Sequence, residues 1–337
     1  MVSLRAYILT RLLLTIPTIL ILLTFVFMIM RILPGDPVLA IVGMKASPEY
    51  IEKLREQLGL NKPLWMQYID YVSNIFRLDF GRSMIWGRRP VIQEIMDRFP
   101  ATLELTIFAF MISVLIGLLT GVGSAMKRGS KLDITLRVWS IVAYSLFIPL
   151  LGMFFQLVFG VYLRILPVAG RKSPLVRIHR ITGLYILDSI LTLNWKGLIT
   201  SLRYLILPSL TLGIVLSGVY TRLVRSSMLD VLQQDFIRAL RSRGIAERKV
   251  IFSHALKNAF IPILTMMGLQ FALLLAGAVL TETTFSWPGM GTFLMERIQY
   301  RDYTTVQGTI VFFALLVSLV SLIVDIIYAY IDPRIRY

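Results

Sequence analysis

Few side chains in this 337-residue sequence have the types and spacing that catalysis requires. There is no cysteine, and His179 and His254 are the only histidines, so a thiolate or histidine metal centre is not expected. Asp36 stands between two prolines with no second acid placed to share a proton, which favours a rigid turn over a catalytic role. Neither the phosphate loop G-x-x-x-x-G-K-[ST] nor the motif H-E-x-x-H occurs. The sequence therefore predicts no catalytic residue, no metal site and no cofactor bound by this chain, and an intramembrane enzyme is disfavoured.

The composition is that of a membrane protein. Charged residues make up 16% of the chain and the mean hydropathy is +0.74, whereas a soluble domain carries about 25% charged residues. Six stretches without Asp, Glu, Lys, Arg or His are long enough to cross a bilayer, because a spanning helix needs about 20 apolar residues. They are Leu12–Met30, Leu105–Met126, Val138–Leu163, Tyr204–Thr221, Ala259–Thr281 and Thr304–Val324. The predicted fold is an all-α polytopic membrane protein with six transmembrane helices.

The net charge of +16 falls mainly in loops beside these spans, which disfavours a nucleic-acid partner. The loops 127–137 and 222–258 are rich in Lys and Arg, which places them and both termini in the cytoplasm. Segment 164–203 disagrees, because it would lie outside and yet holds seven basic residues against one acid. Within it, residues 181–195 are semi-apolar but short and contain Asp188, so we interpret them as interfacial or re-entrant.

Three regions are predicted along the chain. Residues 1–30 form an N-terminal tail and a first helix that is retained, because its apolar run exceeds the 7–15 residues of a secretory signal. Residues 31–100 form an external segment, and residues 101–337 form a five-helix core with a cytoplasmic loop at 225–262. In the external segment, Ser47-Pro48 is typical of a helix start, Gly59 of a helix end, and a second helix should begin near Pro63.

The cytoplasmic loop contains the stretch "DFIRALRSRGIAERKVIFSHALKNAFIPILT" (235–265). Helix-forming residues run from about Ser226 to Arg243, Gly244 interrupts them, and a second run covers Glu247 to Asn258. Because glycine accepts a left-handed conformation, this pattern predicts two helices joined by a fixed bend. Its arginines favour anionic lipid or an acidic protein groove, and an ordinary basic loop is the alternative. An apolar docking stripe is expected at Phe236, Ile237, Leu240, Ile251 and Phe252.

These residues carry a family resemblance. Arg238-Ala239-Leu240-x3-Gly244 is similar to the EAA-x3-G loop of ABC-transporter permeases, and the longer stretch resembles the form in the dipeptide/oligopeptide branch of importers. Further motifs in family order are "LPGDPV" (33–38), "LGLNKPLWMQYIDYV" (58–72), "LDFGRS" (78–83), "TGLYILDS" (182–189), "LILPSLTLG" (205–213) and "ETTFSWPGMG" (282–291). Arg238 and Leu240 replace the Glu and second Ala of EAA, and Lys257 replaces a later proline. Such replacements are typical of this branch.

The resemblance implies that the bend is a coupling helix, between the fourth and fifth spans, that docks on a separate ATPase. The residues expected to couple are Asp235, Arg238, Ala239, Leu240, Arg241, Gly244 and Glu247. It also implies a second, homologous permease subunit, two ATP-binding subunits that bind ATP and Mg²⁺, and an extracellular substrate-binding protein. The chain would lie in the cell membrane, and peptides are the first expectation for the cargo, with oligosaccharides or nickel as alternatives. An ion-coupled secondary transporter is disfavoured because the six spans lack ionisable residues.

The motif "FSWPGMG" (285–291) follows the fifth span. Trp287-Pro288-Gly289-Met290 has proline and glycine at the positions that a type II turn favours. The resemblance places this loop near the external mouth of the pathway, with Phe285, Trp287, Pro288 and Gly289 as candidate gate residues. A plain surface turn is the alternative. Within the spans, Gly117-x3-Gly121 and Gly268-x3-Ala272-x3-Ala276 predict close helix packing, within the chain or against a second permease.

Overall fold

The computed structural model of the chain describes residues 4–32, 47–57, 60–85 and 89–331. In chain order its helices are α1 (Leu4–Ile32), α2 (Pro48–Gln57), α3 (Leu64–Phe76), α4 (Val91–Met126), α5 (Lys131–Ser145), α6 (Ile148–Phe155), α7 (Tyr185–Leu191), α8 (Trp195–Leu232), α9 (Asp235–Ser242), α10 (Leu256–Gly277), α11 (Val279–Thr284), α12 (Met290–Gln299) and α13 (Tyr303–Ile331). A π-helical segment, Gln156–Tyr162, continues α6; a helical turn, Glu247–Lys249, and a second π-helical segment, Val250–Ala255, lead into α10. The predicted all-α class is confirmed.

Five of the six predicted spans are confirmed as single helices by their length and composition. They are Thr10–Arg31, Val91–Met126, Trp195–Leu232, Glu247–Leu275 and Tyr303–Ile327. α4 and α8, which contain the second and fourth predicted spans, begin well before the apolar runs. α4 starts at Val91 and continues past residue 100, where the external segment was expected to end. In the segment predicted to be external, the helices expected at Ser47-Pro48 and near Pro63 are confirmed as α2 and α3. Asp36 and Gly59 lie outside the described residues.

The third predicted span, Val138–Leu163, is not one straight helix. This stretch forms two helical pieces, Lys131–Ser145 and Ile148–Tyr162, whose axes differ by 98°. Leu146 and Phe147 between them are extended, with ψ of 129° and 116°. Pro149 has no N–H to donate to the Ser145 carbonyl, which favours a break here, and the helix restarts with the proline in its first turn. Hydropathy alone does not register such a break.

The centre of the fold is the close pairing of α4 with α8. A Cβ atom added at Gly117 would lie 2.2 Å from Tyr220 Cβ, and one at Gly121 would lie 2.6 Å from Val224 Cβ. Only glycine leaves room for this approach, so the predicted packing role of Gly117 and Gly121 is confirmed, and it acts within the chain. Gly268 likewise packs α10 against Val324 of α13.

Two further contacts complete the arrangement. α1 packs on α13 and α3, with Leu23, Val26 and Ile75 in one buried cluster. At the other end of α4 and α8, a second cluster joins both helices, through Val122, Val224 and Met228, to residues 235–255, which we call the coupling loop after its predicted role. The long helices therefore form one body, with α9 held at one end and the loop that follows α11 held near the start of α4.

Candidate functional site

The coupling loop bends sharply between two helical arms. Gln234 is extended, with ψ of 150°, so the helical run predicted from Ser226 to Arg243 is broken before α9. Gly244 follows α9 with φ of +74°, and the amides of Gly244 and Ile245 donate to the carbonyls of Arg241 and Leu240. A left-handed glycine that ends a helix makes such bonds to the carbonyls it leaves behind. The left-handed glycine predicted at this bend is confirmed.

An ion pair closes the bend. Arg241 Nη2 donates to Glu247 Oε1 at 2.6 Å, and Arg241 Nε donates to Glu247 Oε2 at 3.1 Å. Two parallel bonds of this kind fix the mutual orientation of the two side chains. Because both side chains are about half exposed, water screens the attraction and the pair contributes about 1 kcal/mol or less. We call this pair the bend clamp.

Ile237 fastens α9 to the membrane helices. Its side chain is fully buried, in a cluster with Val250 and Ala255 of the π-helical segment and residues of α4, α8 and α10. Leu240 is half-buried against the same cluster. Close-packed interiors transmit displacement rather than absorb it. α9 is therefore packed against three long helices at once.

The outer face of the coupling loop carries charge. Asp235, Arg238, Ala239, Arg241, Gly244 and Glu247 are all exposed. The apolar stripe expected beside them is divided: Ile237 and Ile251 are buried within the chain, and Phe236 and Phe252 are exposed. The prediction of one continuous docking stripe is therefore wrong, because Ile237, Leu240 and Ile251 pack inward. The face left for a partner is mainly charged, with two aromatic rings.

The loop after α11, residues 285–291, is buried instead, and we call it the tryptophan loop. Trp287 is 1% exposed, and its Nε1 donates to the Ala101 carbonyl of α4 at 2.9 Å. Thr102 Oγ1 accepts from the Met290 amide and donates to Glu282 Oε1 at 2.6 Å. The loop is thus fixed to one turn of α4 by two hydrogen bonds, and a third joins the same turn to Glu282 of α11.

Glu282 stands at the centre of this arrangement. Its Oε2 accepts from the amides of Gly291 and Thr292 at 2.7 and 3.0 Å, at the start of α12. Burial raises the pKa of the Glu282 carboxyl from its ordinary 4.5 to about 7, although the hydrogen bonds from Thr102 and the two amides favour the charged form. Glu282 therefore caps α12 and joins it to α4 and α11.

The type II turn predicted at Trp287–Met290 is wrong. Gly289 has φ of −98° and ψ of −171°, whereas the third position of a type II turn has φ near +80°. The Gly289 amide instead donates to the Trp287 carbonyl at 2.8 Å. A Cβ atom on Gly289 would lie 2.2 Å from Glu282 Oε1. Glycine is required here by the approach of the carboxylate and not by a turn.

The basic segment 164–203 folds against α4. Arg171 is buried and donates twice to Glu104 Oε2, at 2.9 and 2.6 Å, and its guanidinium lies over the Tyr185 ring, 3.9 Å from the centroid. Arg180 pairs with Asp97 at 2.7 Å on the surface. Two of the seven basic residues that conflicted with the charge rule therefore have acidic partners on α4. The stretch interpreted as interfacial contains only the short helix α7.

Asp188 organises the start of α7. It accepts hydrogen bonds from the Thr182 hydroxyl and from the amides of Ile181, Thr182 and Gly183, at 2.7 to 3.2 Å. Burial works against its charge, yet these hydrogen bonds hold the pKa of Asp188 below its ordinary 3.8. Asp188 is thus an internal cap of the segment.

Of the candidate gate residues, Phe285, Trp287 and Gly289 are buried and Pro288 is half-buried. Phe285 is 2% exposed and contacts the backbone of α6 at Gly152, and its carbonyl accepts from the Gly170 amide. Gln156 donates to the carbonyls of Val168 and Thr284, so it bonds between segments of the chain. Glu104, Arg171 and Glu282 were not singled out from the sequence as site residues. Glu282 could have been suspected as an acid at the end of an apolar run.

Comparison with known proteins decides the family. The model of "Binding-protein-dependent transport system inner membrane component" matches residues 113–337. A companion model of the N-terminal part of such components matches residues 4–106. The chain belongs to this family. The resemblance found in the coupling loop is confirmed over nearly the whole length of the chain.

Several relatives are similar from end to end. The chain is 42% identical over 332 residues to the dipeptide transport system permease protein DppB of Alkalihalophilus pseudofirmus, covering 98% of this chain and 99% of the relative. It is 40% identical to DppB of Escherichia coli K12, covering 98% of each. It is 40% identical to the glutathione transport system permease protein GsiC of Salmonella typhimurium, covering 98% of this chain and 99% of the relative.

One solved structure agrees in fold. The MetNI methionine ABC transporter, in a study of its inward-facing conformations, matches with a TM-score of 0.54 and 15% identity. The match covers 72% of this chain and 97% of that chain. At this identity the likeness concerns the fold alone.

Proposed function

We propose that this chain is a permease subunit of an ATP-driven importer and that it forms, with a second, homologous permease, the pathway for short peptides. The full-length identity of 40–42% to permeases named for dipeptide and glutathione transport carries the proposal. Oligosaccharide or nickel cargo is not favoured by these relatives.

Two ATP-binding subunits and an extracellular substrate-binding protein complete the proposed complex. The absence of a phosphate-loop motif from the sequence supports ATP and Mg²⁺ binding by partners. The basic loops 127–137 and 222–258 support a cell-membrane location in which both termini and α9 face the cytoplasm.

The coupling loop is the proposed point of contact with an ATPase. Its exposed face presents Asp235, Arg238 and Ala239 to a partner, while buried Ile237 holds α9 to the long helices. When the ATPases close, movement of α9 would pass through Ile237 into α4, α8 and α10. The bend clamp between Arg241 and Glu247 keeps α9 at a fixed angle during this movement.

The tryptophan loop is the proposed support of the external mouth. Because Trp287 and Glu282 are bonded to one turn of α4, the pair α11–α12 must move with α4 as one body. Phe285, Trp287, Pro288 and Gly289 would therefore set the position of the gate from inside the chain rather than line an open passage.

Uptake measurements test the transport proposal. The chain is expressed with its partner subunits in cells that lack peptide uptake, and entry of labelled dipeptide is followed with and without ATP depletion. We expect ATP-dependent uptake that competing dipeptides inhibit and that nickel and oligosaccharides do not. Purification of the intact complex should recover a second permease and two ATPases by mass spectrometry. Uptake that survives ATP depletion and follows an ion gradient would contradict the proposal.

Gly244→Val tests the coupling role. A β-branched residue at φ of +74° is strained, although the space around Gly244 is open. We expect the complex to assemble but substrate-stimulated ATPase activity and uptake to fall severalfold. Gly129→Val is the matched control, because Gly129 has φ of +77° and equally open space in the other basic loop. Equal losses in both variants would show a general effect of strain, and normal activity in Gly244→Val would contradict the coupling role.

A further inference from the structure

A groove runs between α1 and α3, away from both the coupling loop and the tryptophan loop. It encloses about 400 Å³ and is lined by Thr24, Phe27, Met28, Arg31, Leu64, Trp65 and Tyr68. Thr24 donates to the Leu20 carbonyl, so in its 2.6 Å bond with Tyr68 the tyrosine hydroxyl is the donor. The hydroxyl groups at the inner end of the groove thus bond to each other and to the backbone, and the surface they leave is apolar.

The groove opens at the end of a membrane span. α1 spans from Thr10 to Arg31 with high hydropathy, and its outward residues Ile21 and Phe25 are 71% and 64% exposed. Such an exposed apolar surface is suited to contact with the hydrocarbon of the bilayer. Across the groove, Leu64 and Trp65 of α3 are also exposed, and tryptophan and tyrosine concentrate at the level of lipid headgroups. The groove therefore lies where acyl chains meet headgroups.

Arg31 places a positive charge at the rim of the groove. The guanidinium lies 5.3 Å from the centroid of the Phe27 ring, and no hydrogen bond or ion pair joins it to another residue that the structure describes. On its other side Arg31 borders a polar cavity of about 500 Å³. Of the two acids that line this cavity, Asp70 is paired with Lys62 at 2.6 Å, and Asp79 accepts a hydrogen bond from the Gly81 amide at 2.9 Å. Arg31 is thus a positive charge placed between an apolar groove and water.

We propose that this groove binds one anionic glycerophospholipid, with its phosphate at Arg31 and an acyl chain along Phe27, Met28 and Leu64. Arg31 follows Thr24 by seven positions, which corresponds to roughly 10 Å along the helix axis. The groove can therefore hold the first part of one acyl chain below the headgroup. An arginine fork is well suited to phosphate. The bound lipid would fill the space between α1 and α3 and hold the external segment against the bilayer.

Lipid retention tests this inference. The whole transporter complex is reconstituted with equal amounts of phosphatidylglycerol and phosphatidylcholine, stripped mildly with detergent, and analysed by native mass spectrometry for the lipid that remains. We expect the natural sequence to retain phosphatidylglycerol preferentially. Arg31→Gln should lower its retention about fivefold, because one basic residue contributes on the order of 1 kcal/mol of attraction to an anionic membrane surface. Arg31→Lys should retain most of it.

Two controls separate the charge from the groove. Arg77→Gln removes another exposed arginine, at the end of α3 and outside the groove, and should leave retention unchanged. Met28→Trp should fill the groove and lower retention of both lipids while the complex elutes normally from a sizing column. Equal retention of the two lipids, or equal loss in Arg31→Gln and Arg77→Gln, would overturn the proposal.

The source of the phosphate is tested in the same experiment. An excess of inorganic phosphate should not displace the lipid if the acyl chain contributes to binding, and displacement would overturn a lipid site in favour of a free-phosphate site. A photoreactive residue at position 65 should cross-link to lipid. Cross-linking to the second permease would show that a protein covers the groove and would also overturn the proposal.

Discussion

The coupling loop and the tryptophan loop both depend on a glycine, for opposite physical reasons. Gly244 has φ of +74° and no atom within 4 Å of a Cβ position, so its backbone conformation requires glycine. Gly289 has an ordinary negative φ, but a Cβ there would meet the Glu282 carboxylate. Glycine is thus required by the backbone conformation at the first site and by the lack of space for a side chain at the second.

The same contrast separates the roles of the two loops. The tryptophan loop satisfies its polar groups within the chain, through Thr102, Ala101 and the amides of α12. The coupling loop leaves Asp235 and Arg238 largely exposed, with only a 3.3 Å ion pair between them. A buried, satisfied loop supports the fold, and an exposed, charged one is available to a partner. Variants in the first should therefore change stability, and variants in the second should change coupling.

Trp287→Ala should have the largest effect on stability. Loss of a fully buried tryptophan costs about 3–5 kcal/mol, and the Ala101 carbonyl would also lose its donor. The apparent melting temperature of the purified complex measures this. Trp195→Ala is the control, because Trp195 is 67% exposed and should change little. Similar shifts in the two variants would refute the structural role of the buried ring.

Loss of the Glu104–Arg171 ion pair should have the second-largest effect on stability. Arg171→Met leaves the Glu104 carboxylate buried without its cation, at a cost of about 3 kcal/mol or more. Arg180→Met removes an exposed partner of Asp97 and should cost 1 kcal/mol or less. Melting temperatures of the two variants distinguish a buried from an exposed pair. If Arg180→Met were the more damaging, the placement of the basic segment on α4 would be incorrect.

Glu282 should make the stability of the tryptophan loop depend on pH. Its folded-state pKa, about 7, lies above the ordinary 4.5, so the folded state holds the proton more tightly. The stabilisation is complete below pH 4.5 and is lost as the pH rises through 7, by up to about 3 kcal/mol. Glu282→Gln can donate to Thr102 and accept from Gly291 and Thr292, so it should keep the fold.

Melting temperatures of the complex between pH 5 and pH 8 test this expectation. We expect the natural sequence to lose stability relative to Glu282→Gln as the pH rises, and Glu282→Gln to remove this part of the pH dependence. Glu296→Gln is a control at a partly exposed glutamate of α12 and should keep the natural dependence. Parallel curves for the natural sequence and Glu282→Gln would refute the assignment.

Most of the fold follows from the sequence, because charge-free apolar runs of about 20 residues have few alternatives to a spanning helix. The break at Leu146 and Phe147 does not follow, since a proline within an apolar run can either kink a span or divide it. Pro208 and Pro262 are inside continuous helices, whereas Pro149 begins a new one. Tertiary packing decides between these outcomes.

The features of the site that depend on neighbouring residues in the sequence were predictable. Gly244 at the end of a helix-forming run indicates its own left-handed conformation. The contacts that fix the tryptophan loop and the basic segment are distant in sequence: Thr102 and Glu282 are 180 residues apart, and Glu104 and Arg171 are 67 residues apart. When those contacts are unknown, Pro288-Gly289 resembles a turn. The seven basic residues of segment 164–203 then conflict with the orientation that the charge rule predicts.

The bend clamp should have the smallest effect on stability and a selective effect on coupling. Glu247→Gln removes an exposed charge pair and should lower the melting temperature by an amount that corresponds to about 0.5 kcal/mol. Because the clamp fixes the angle between α9 and the following arm, substrate-stimulated ATPase activity should fall further than this small loss explains. Lys62→Gln, which removes the exposed partner of Asp70 in the external segment, should cost similar stability and leave coupling intact. If the two variants behaved alike in both measurements, the bend would be held by Gly244 and Ile237 alone, and the clamp would have no part in transmitting movement.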